Sequence, residues 1–305
     1  MAPHLVSALW IAASCLLFSL MNAIAKLLLV GGSLGGLHPL QVTFARYLFA
    51  AAALAPFVMH GLRIPPPQMA KRYFVRVVSG YLGVVLMFAA IKTLRLSDAT
   101  AIGFTSPFFA VAAAAMILGE RPDRRSWLSP LFGFVGVIII TQPTQETFEP
   151  AALVALAAAV AMGVEIVGVK WISDLDRPAA IIFFSNAFAV PFGAAAVIPV
   201  WTWPSAAQWL ILVAIGVVAA IGQQCVIRGA RLGDAGFIAP IFYLSLVFST
   251  LFGAILFDES LPLSTLIGSV IIFVGVLLPT GAKLGLRWER KAPPVKQLSE
   301  EMDKR

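Results

Sequence analysis

Charged residues are scarce in this sequence, and their scarcity limits what the protein can be. Only 12% of its 305 residues are charged, while 60% are apolar and the mean hydropathy is +0.91. A soluble globular domain is roughly a quarter charged, so this chain lacks the polar residues that a water-facing surface requires. Its apolar surface predicts a lipid bilayer as its surroundings, and a soluble fold is excluded.

Cysteine and histidine are also rare, which removes several classes of site. The two cysteines, Cys15 and Cys225, lie within apolar runs and have neither a disulfide framework nor a metal-binding spacing. The sequence contains no Gly-x-Ser-x-Gly, His-Glu-x-x-His or P-loop motif. We therefore expect no catalytic residue, no metal and no cofactor. A membrane-embedded enzyme or a channel built on a duplicated helical bundle remains the alternative function.

Long apolar runs are what the sequence has in abundance. A helix needs about twenty largely apolar residues to cross a bilayer, and short polar or Pro-rich turns separate such runs here. The first run continues from Leu5 to Val30, which is too long for the apolar core of a cleaved signal peptide. The predicted fold is an all-α membrane protein with ten transmembrane helices, near 5–30, 38–59, 74–91, 98–118, 126–142, 151–171, 179–200, 207–227, 234–257 and 262–282.

The basic residues predict the orientation of the chain. With a cytoplasmic N-terminus, 18 of the 22 Lys and Arg residues fall in cytoplasmic loops or the tail, Arg76 among them, and only Lys92 and Arg95 face outward. Cytoplasmic loops of membrane proteins are enriched in Lys and Arg, so both termini are expected in the cytoplasm, at a bacterial inner membrane. The same placement accounts for the net charge of +7 without a nucleic-acid partner. No pattern indicates the oligomeric state.

The two halves of the chain resemble each other. Matched residues at an offset of 136 or 139 follow in order along five predicted helices, for example Pro39 with Pro178, Asp98 with Asp234, Glu120 with Glu259 and Gly136 with Gly275. Because five is odd, the second copy must cross the membrane upside down relative to the first. We predict two inverted five-helix repeats, at 1–145 and 146–282, followed by a charged tail at 283–305 that is expected to be disordered.

Inverted repeats are typical of secondary transporters. Exchange of conformation between two similar halves opens one side of the membrane and then the other. The prediction is therefore a secondary-active transporter that moves a small organic solute by alternating access, with protons as the candidate coupling ion. Gene duplication also builds channels and membrane enzymes, which keeps the alternative open.

Two motifs carry a family resemblance. Leu118-Gly119-Glu120 follows a helix rich in small residues and precedes a Gly-rich helix, and Pro39, Phe44 and Arg46 form a second pattern. In these features the chain resembles the drug/metabolite transporter superfamily, in its EamA-type branch, over about residues 5–282. The second copy departs from the motif, with Phe257-Asp258-Glu259 in its place. The resemblance implies a central cavity lined by helices 1, 3, 4, 6, 8 and 9, and solutes such as riboflavin, S-adenosylmethionine or amino acid-like metabolites.

Charged residues within the predicted spans are the first candidates for a site. A charge at bilayer depth costs at least about 2.5–3.5 kcal/mol, so it needs a partner or a wet cavity. Glu165 is the acid that lies well inside a span. We interpret it as a proton-coupling and substrate-binding residue, a counter-charge for a cationic group of the solute. A structural ion pair with Lys170 or Arg46 is the alternative.

Lys26, Arg46 and two prolines are the candidates for structural or gating roles. Lys26 is near enough to the outer interface to extend its amine into water, and the resemblance implies that Arg46 pairs with helix ends. Pro107 and Pro240 interrupt spans 4 and 9, and proline permits bending that suits helices around a cavity. A neutral kink is the alternative for both prolines.

Uncharged polar residues complete the predicted site. Those expected to bind substrate by hydrogen bonds are Asn22, Tyr81, Ser106, Gln223, Gln224 and Tyr243. Hydrogen bonding from helix to helix, worth roughly 0.6 kcal/mol per bond, is the competing explanation for each of them.

Overall fold

The computed structural model is helical throughout most of the chain that it describes. It describes residues 3–32, 34–58, 65, 67–119, 132, 135–136, 138–139, 150–173, 178–232, 241–242, 244–260, 262–271 and 274. The helices along these residues are α1 (Pro3–Leu29), α2 (Pro39–Val58), α3 (Ala70–Ile91), α4 (Leu96–Gly103), α5 (Ser106–Leu118), α6 (Pro150–Ser173), α7 (Pro178–Val197), α8 (Ala206–Leu232) and α9 (Leu244–Phe257). Short 3-10 turns lie at Pro67–Met69 and Ile198–Val200, and residues 263–271 are also helical.

Length and composition make most of these helices candidate membrane spans. Within the described residues, six stretches are long and apolar enough to cross a bilayer, and α9 is a shorter apolar helix. The six are Leu5–Leu29, Ala70–Ile91, Leu96–Ile117, Pro150–Gly168, Ala180–Val200 and Ala206–Gly229. The prediction of an all-α membrane protein is confirmed at this level. The count of ten stays a prediction, since the span expected at 126–142 lies almost entirely outside the described residues.

Contacts between helices define two ends of the bundle. The Ser7 hydroxyl at the start of α1 donates to the Gly229 carbonyl near the end of α8 (2.8 Å). Glu259, just after α9, forms an ion pair with Lys26 in the last turn of α1. We therefore call the two ends of the bundle the Ser7 end and the Glu259 end. In the predicted topology the Ser7 end faces the cytoplasm.

Equivalent helices of the two halves run antiparallel to each other. In α2 and α7, Phe44 lies against Gly193, while Leu54 packs in one cluster with Ile182, so one residue number rises as the other falls. The same reversal holds where α4, in the fourth predicted span, meets α9 and the turn after it, in the ninth: Leu96 contacts Glu259 and Thr100 contacts Ser249. This geometry is what an inverted repeat requires.

The packing between the halves is also reciprocal. The third helix of the first half, α3, packs antiparallel on the first helix of the second half, α6, with Gly80 against Glu165. With the halves exchanged, α1 packs antiparallel on α8, with Phe18 against Gly222. Glycine lets two helix backbones approach closely where apolar burial cannot drive association in lipid.

The fourth predicted span consists of two helices. α4 ends at Gly103 and α5 begins at Ser106, so Phe104 and Thr105 form a break directly before Pro107. Pro107 is the second residue of α5, where its missing backbone N–H leaves no intrahelical hydrogen bond unmade. The interruption expected from this proline is therefore a break in the helix, and a gating role for it stays a prediction.

Gly163 allows α6 to contact the start of α5. A Cβ at this position would lie 2.7 Å from Phe109 Cβ and 2.8 Å from the backbone nitrogen of Ala110, and backbone atoms cannot move aside cheaply. Gly163→Ala is expected to lower stability by about 1–3 kcal/mol, the usual cost of overpacking. The measurement is the thermal midpoint of purified protein in detergent. Gly31→Ala is the control, because nothing lies within 4 Å of a Cβ there; equal midpoints for the two variants would contradict the prediction.

Candidate functional site

α2 and α7 place polar side chains at equivalent positions near the middle of the bundle. The offset of 139 residues between the halves pairs Arg46 with Ser185 and Tyr47 with Asn186. All four residues are buried, and Asn186 is 1% exposed. Since α2 and α7 are equivalent helices that contact each other, these side chains lie where the two halves of the chain meet.

Arg76 joins the two halves at this level. It lies in α3 and is 8% exposed; its Nη1 donates to the Ile181 carbonyl of α7 (3.1 Å) and to the Ser185 hydroxyl. Its Nη2 is 3.9 Å from Oε1 of Glu165 in α6. The placement of Arg76 in a cytoplasmic loop is therefore wrong. α3 begins at Ala70, and α6 and α7 supply the carboxylate and the acceptors that a buried cation requires.

Two further contacts add residues to the polar side chains around Arg76. The rings of Tyr47 and Tyr81 lie 5.5 Å apart at an interplanar angle of 32°, and Asn186 Nδ2 donates to Gln223 Oε1 (3.1 Å). α3 and α8, which are themselves equivalent helices, thus each contribute polar residues to the same place. We call the following residues the central polar cluster: Arg46, Tyr47, Arg76, Tyr81, Glu165, Ser185, Asn186 and Gln223.

Several buried atoms of the central polar cluster have no hydrogen-bond partner among the described residues. They are Nε and Nη1 of Arg46, Nε of Arg76, the hydroxyl of Tyr81 and Oδ1 of Asn186. Buried polar atoms in folded proteins are nearly always hydrogen-bonded, and an unmade bond costs about 1–3 kcal/mol. A concentration of such atoms indicates a place where water or a polar solute supplies the missing partners.

Glu165 is the one carboxylate in this cluster. Its side chain keeps 33% of its surface exposed although the residue lies within a membrane-spanning helix. Glu165, Arg46 and Arg76 all interact electrostatically with the Tyr47 side chain. Among the described residues, Glu165 forms an ion pair with Arg76 of α3 and none with Arg46; the side chain of Lys170, the other expected partner, lies outside the described part of the structure.

A second polar group closes the Glu259 end. Lys26, which is 5% exposed, pairs with Glu259 and donates to the Leu94 carbonyl (2.6 Å). The Glu259 Oε2 atom accepts from the backbone N–H of Leu96 (2.8 Å), at the N-terminus of α4, where the helix dipole favours negative charge. We call these four residues the Glu259 latch. The expectation that Lys26 extends its amine into water is wrong, because the turn after α9 brings a carboxylate to the buried amine.

The turn after α9 directs Glu259 toward Lys26. Asp258 has a left-handed φ of 57°, and the backbone N–H of Glu259 donates to the Gly253 carbonyl (3.1 Å). Gly119 ends α5 at the equivalent position with a φ of 69°. The glycine of the Leu-Gly-Glu motif is thus the left-handed residue that ends a helix. Asp258 adopts the same conformation in the second half despite the steric cost of its Cβ.

The other predicted site residues do not join the central polar cluster. Asn22 is partly buried in α1 and Gln224 partly buried in α8, and no hydrogen bond among the described residues links either to the cluster. Ser106 is the first residue of α5, and its carbonyl lies against Gly163. Two predicted residues lie outside the described part of the chain, Tyr243 and Pro240.

An apolar groove lies between α3 and α7, away from the polar side chains. Its volume is about 270 Å³, and its lining includes Phe74, Phe188 and Phe192, all of them exposed. A groove of this chemistry suits lipid acyl chains rather than a polar solute. In the described residues there is also no group of three or more His, Cys, Asp or Glu that could hold a metal ion.

Sequence reasoning missed Arg76, Tyr47, Ser185 and Glu259 as members of these polar groups. The repeat carried a usable signal for two of them, because the same offset that relates the halves places Arg46 and Tyr47 opposite Ser185 and Asn186. No local pattern could have paired Lys26 with Glu259, which is 233 residues away.

Comparison with known protein families matches the two halves of the chain separately. Residues 5–142 and 149–280 each match the EamA-like transporter family. The chain belongs to this family. The EamA-type resemblance is confirmed, and with it the prediction of a transporter for a small metabolite. The family domain occurs twice in this EamA-like transporter, in agreement with the predicted repeat.

The relatives of this EamA-like transporter carry several different names. It is 26% identical to the riboflavin transporter of Vibrio cholerae, over 94% of this chain and 95% of that protein. It is 27% identical to the S-adenosylmethionine uptake transporter of Rickettsia bellii, over 79% and 83%. It is also 27% identical to the pseudopaline exporter CntI of Pseudomonas aeruginosa, over 88% and 93%.

A solved crystal structure shares the fold of this EamA-like transporter. The TM-score is 0.61 at 21% sequence identity, over 92% of this chain and 98% of the other. At this level of identity the likeness concerns the arrangement of helices alone. The relatives named above include both an uptake transporter and an exporter.

Proposed function

We propose that this EamA-like transporter moves a small organic solute across the bacterial inner membrane by alternating access around the central polar cluster. In this proposal ten helices form two inverted five-helix repeats, at 1–145 and 146–282, and both termini lie in the cytoplasm. The observation that carries it is a set of buried polar side chains from both halves, at the place where the halves meet, with several hydrogen bonds unmade among the described residues. Transporters built from inverted repeats bind substrate near the midplane, where the repeats meet.

Contacts between the two halves close the Glu259 end of the bundle, which favours alternating access rather than an open pore. The Glu259 latch ties α1 and α4 to the turn after α9, and the Gln41 side chain of α2 donates to the Thr202 carbonyl before α8 (2.6 Å). Both contacts join one half of the chain to the other, so separating the halves at this end must break them. Glu165 meanwhile keeps a third of its side chain exposed in the part of α6 toward the Ser7 end. This conformation is therefore closed at the Glu259 end.

The solute is proposed to be a vitamin such as riboflavin or an amino acid-like metabolite. Relatives named for riboflavin, for S-adenosylmethionine and for pseudopaline support small polar organic molecules as the class. Two tyrosine rings beside charged groups suit a flat polar body, because such a body can stack on the rings while its edge forms hydrogen bonds. Protons are proposed as the coupling ion, taken up and released at Glu165.

Solute flux in proteoliposomes tests the transport mechanism. Purified protein is expected to take up riboflavin or S-adenosylmethionine in a saturable manner, and solute preloaded inside is expected to accelerate that uptake. Acceleration by solute on the far side is a property of alternating access, because a carrier that returns loaded reorients faster than one that must return empty. A channel would give no such acceleration, and an enzyme would return a chemically altered compound; either result would contradict the proposal.

Labelling with a membrane-impermeant maleimide tests the inverted topology. In a variant whose two native cysteines are replaced by serine, Asp123→Cys is expected to react only after the membrane is made permeable. Ser260→Cys is expected to react in intact cells, since an odd number of spans separates equivalent positions of the two copies. A cysteine at Arg305 serves as the cytoplasmic reference. Reaction of positions 123 and 260 from the same side of the membrane would rule out inverted repeats.

A further inference from the structure

Arg46 carries a buried charge that pairs with no carboxylate among the described residues. It is 6% exposed at the middle of α2, and its Nε and Nη1 atoms have no hydrogen-bond partner among the described residues. Its guanidinium lies 4.7 Å from the centre of the Tyr47 ring, a contact that offers partial compensation only. The family resemblance implied that Arg46 pairs with helix ends. Among the described residues, neither Nε nor Nη1 of Arg46 makes such a contact.

The neighbouring charges do not neutralise Arg46. Glu165 lies beside Arg76, and Arg76 is held further by the Ile181 carbonyl and the Ser185 hydroxyl. Ion pairs among the described residues include Lys26 with Glu259 and Arg76 with Glu165. With two guanidinium groups and one carboxylate, the central polar cluster therefore keeps one positive charge in excess.

The groups around Arg46 add hydroxyls and aromatic faces. Thr43 lies one turn before it on α2, and the hydroxyls of Thr43 and Tyr81 are both buried without a partner among the described residues. The Tyr47 ring connects the guanidinium to Tyr81, with ring centres 5.5 Å apart. Unused donors beside two tyrosine rings suit an anionic oxygen group carried on a flat organic body.

We infer that the solute of this transporter is an organic acid whose carboxylate or phosphate binds the Arg46 guanidinium. This inference rests on the proposed function and specifies its substrate class. The anion would complete the charge balance of the cluster and supply acceptors for Nε and Nη1 of Arg46. A buried guanidinium forms a bidentate, charge-assisted pair with either group. Riboflavin carries no such group at neutral pH, so this chain would favour an acid over riboflavin itself.

Matched pairs of ligands test the inference on the purified full-length chain in nanodiscs. The pairs are nicotinate with nicotinamide and riboflavin 5′-phosphate with riboflavin, each at the same concentration of about 0.1 mM. A ligand that binds the folded state raises the thermal midpoint by mass action. The acid of at least one pair is expected to raise the midpoint by about 2 °C or more, and to raise it more than its neutral partner does. Equal shifts within each pair, or no shift with either acid, would overturn the inference.

The variant Arg46→Gln distinguishes a role of Arg46 in binding the acid from a role in stabilising the fold. The variant removes the excess charge at similar side-chain volume, so without ligand it is expected to melt at or above the wild-type midpoint. It is also expected to lose the shift caused by the acid, whereas Arg46→Lys retains the charge and part of that shift. An Arg46→Gln protein that melts lower than wild type and still responds to the acid would overturn the inference.

The experiments distinguish failure of the alternating-access mechanism from failure of the inference that Arg46 binds an acid. Far-side acceleration of a neutral solute that persists in Arg46→Gln would overturn the inference and leave alternating access standing. An acid-dependent midpoint shift that requires Arg46, found without any far-side acceleration, would support the anion site and contradict the transport mechanism instead.

Discussion

Lys26→Met is expected to destabilise the protein strongly and to open its Glu259 end. The substitution leaves the Glu259 carboxylate, 13% exposed, facing an apolar side chain, and it removes the donor to the Leu94 carbonyl. Removal of one partner from a buried ion pair typically costs about 3–5 kcal/mol. The thermal midpoint is expected to fall by several degrees. A cysteine at Thr100, in α4 beyond the latch, is expected to react about tenfold faster with a maleimide added from the Glu259 side.

The double variant Lys26→Met with Glu259→Gln is the control for this prediction. It removes both charges together, so no buried charge is left without a partner, and much of the stability is expected to return. The latch itself remains weakened, so the labelling rate at Thr100 is expected to stay above that of the wild type. A double variant whose midpoint loss is the sum of the two single losses would mean that the two side chains do not act as a pair.

Glu165→Gln is expected to reduce proton-driven accumulation of solute by at least about tenfold. Glutamine keeps the size of glutamate and one of its two acceptor oxygens, but it neither takes up a proton nor balances the charge of Arg76, 3.9 Å away. Accumulation by the wild type is expected to depend on the imposed pH gradient, and accumulation by the variant to be the same with and without that gradient. The measurement is solute accumulation in proteoliposomes with an imposed pH gradient.

Two further measurements separate coupling from binding at Glu165. Exchange of solute without a gradient is expected to survive in Glu165→Gln, since exchange needs the conformational change but no net proton movement. Glu165→Asp keeps a titratable carboxylate and is expected to retain the dependence on the pH gradient at a lower rate. Retention of the wild-type dependence on the pH gradient in Glu165→Gln would exclude Glu165 as the coupling site and leave it as a structural partner of Arg76.

The two polar groups differ in how far the sequence could anticipate them. Glu165, Tyr81 and Gln223 were predicted as site residues because each interrupts an apolar run, and the structure brings them into one cluster with Arg76. Arg76 follows Lys71 and Arg72 closely, so the sequence suggested a basic loop. Its true position depends on α3 starting at Ala70 and on acceptors that α7 provides.

At the ends of α5 and α9 as well, the sequence predicted the local structure but not the contacts made there. The match between Leu118-Gly119-Glu120 and Phe257-Asp258-Glu259 located two equivalent helix ends, because a left-handed residue is a local requirement of the backbone. The match said nothing about what the second glutamate contacts. Its partner Lys26 lies in the first helix of the chain, and only the packing of α1, α4 and α9 brings them together.

The sequence by itself determined that this protein lies in a membrane, that it is helical, and that its two halves belong to the EamA-like transporter family. These properties follow from hydropathy, helix length and residue order, each of which is recorded within one segment or one repeat. Only the tertiary structure decided which charges are paired, which end is closed and which guanidinium is left for a ligand. Those outcomes depend on distances between side chains of different helices, and a linear pattern does not encode such distances.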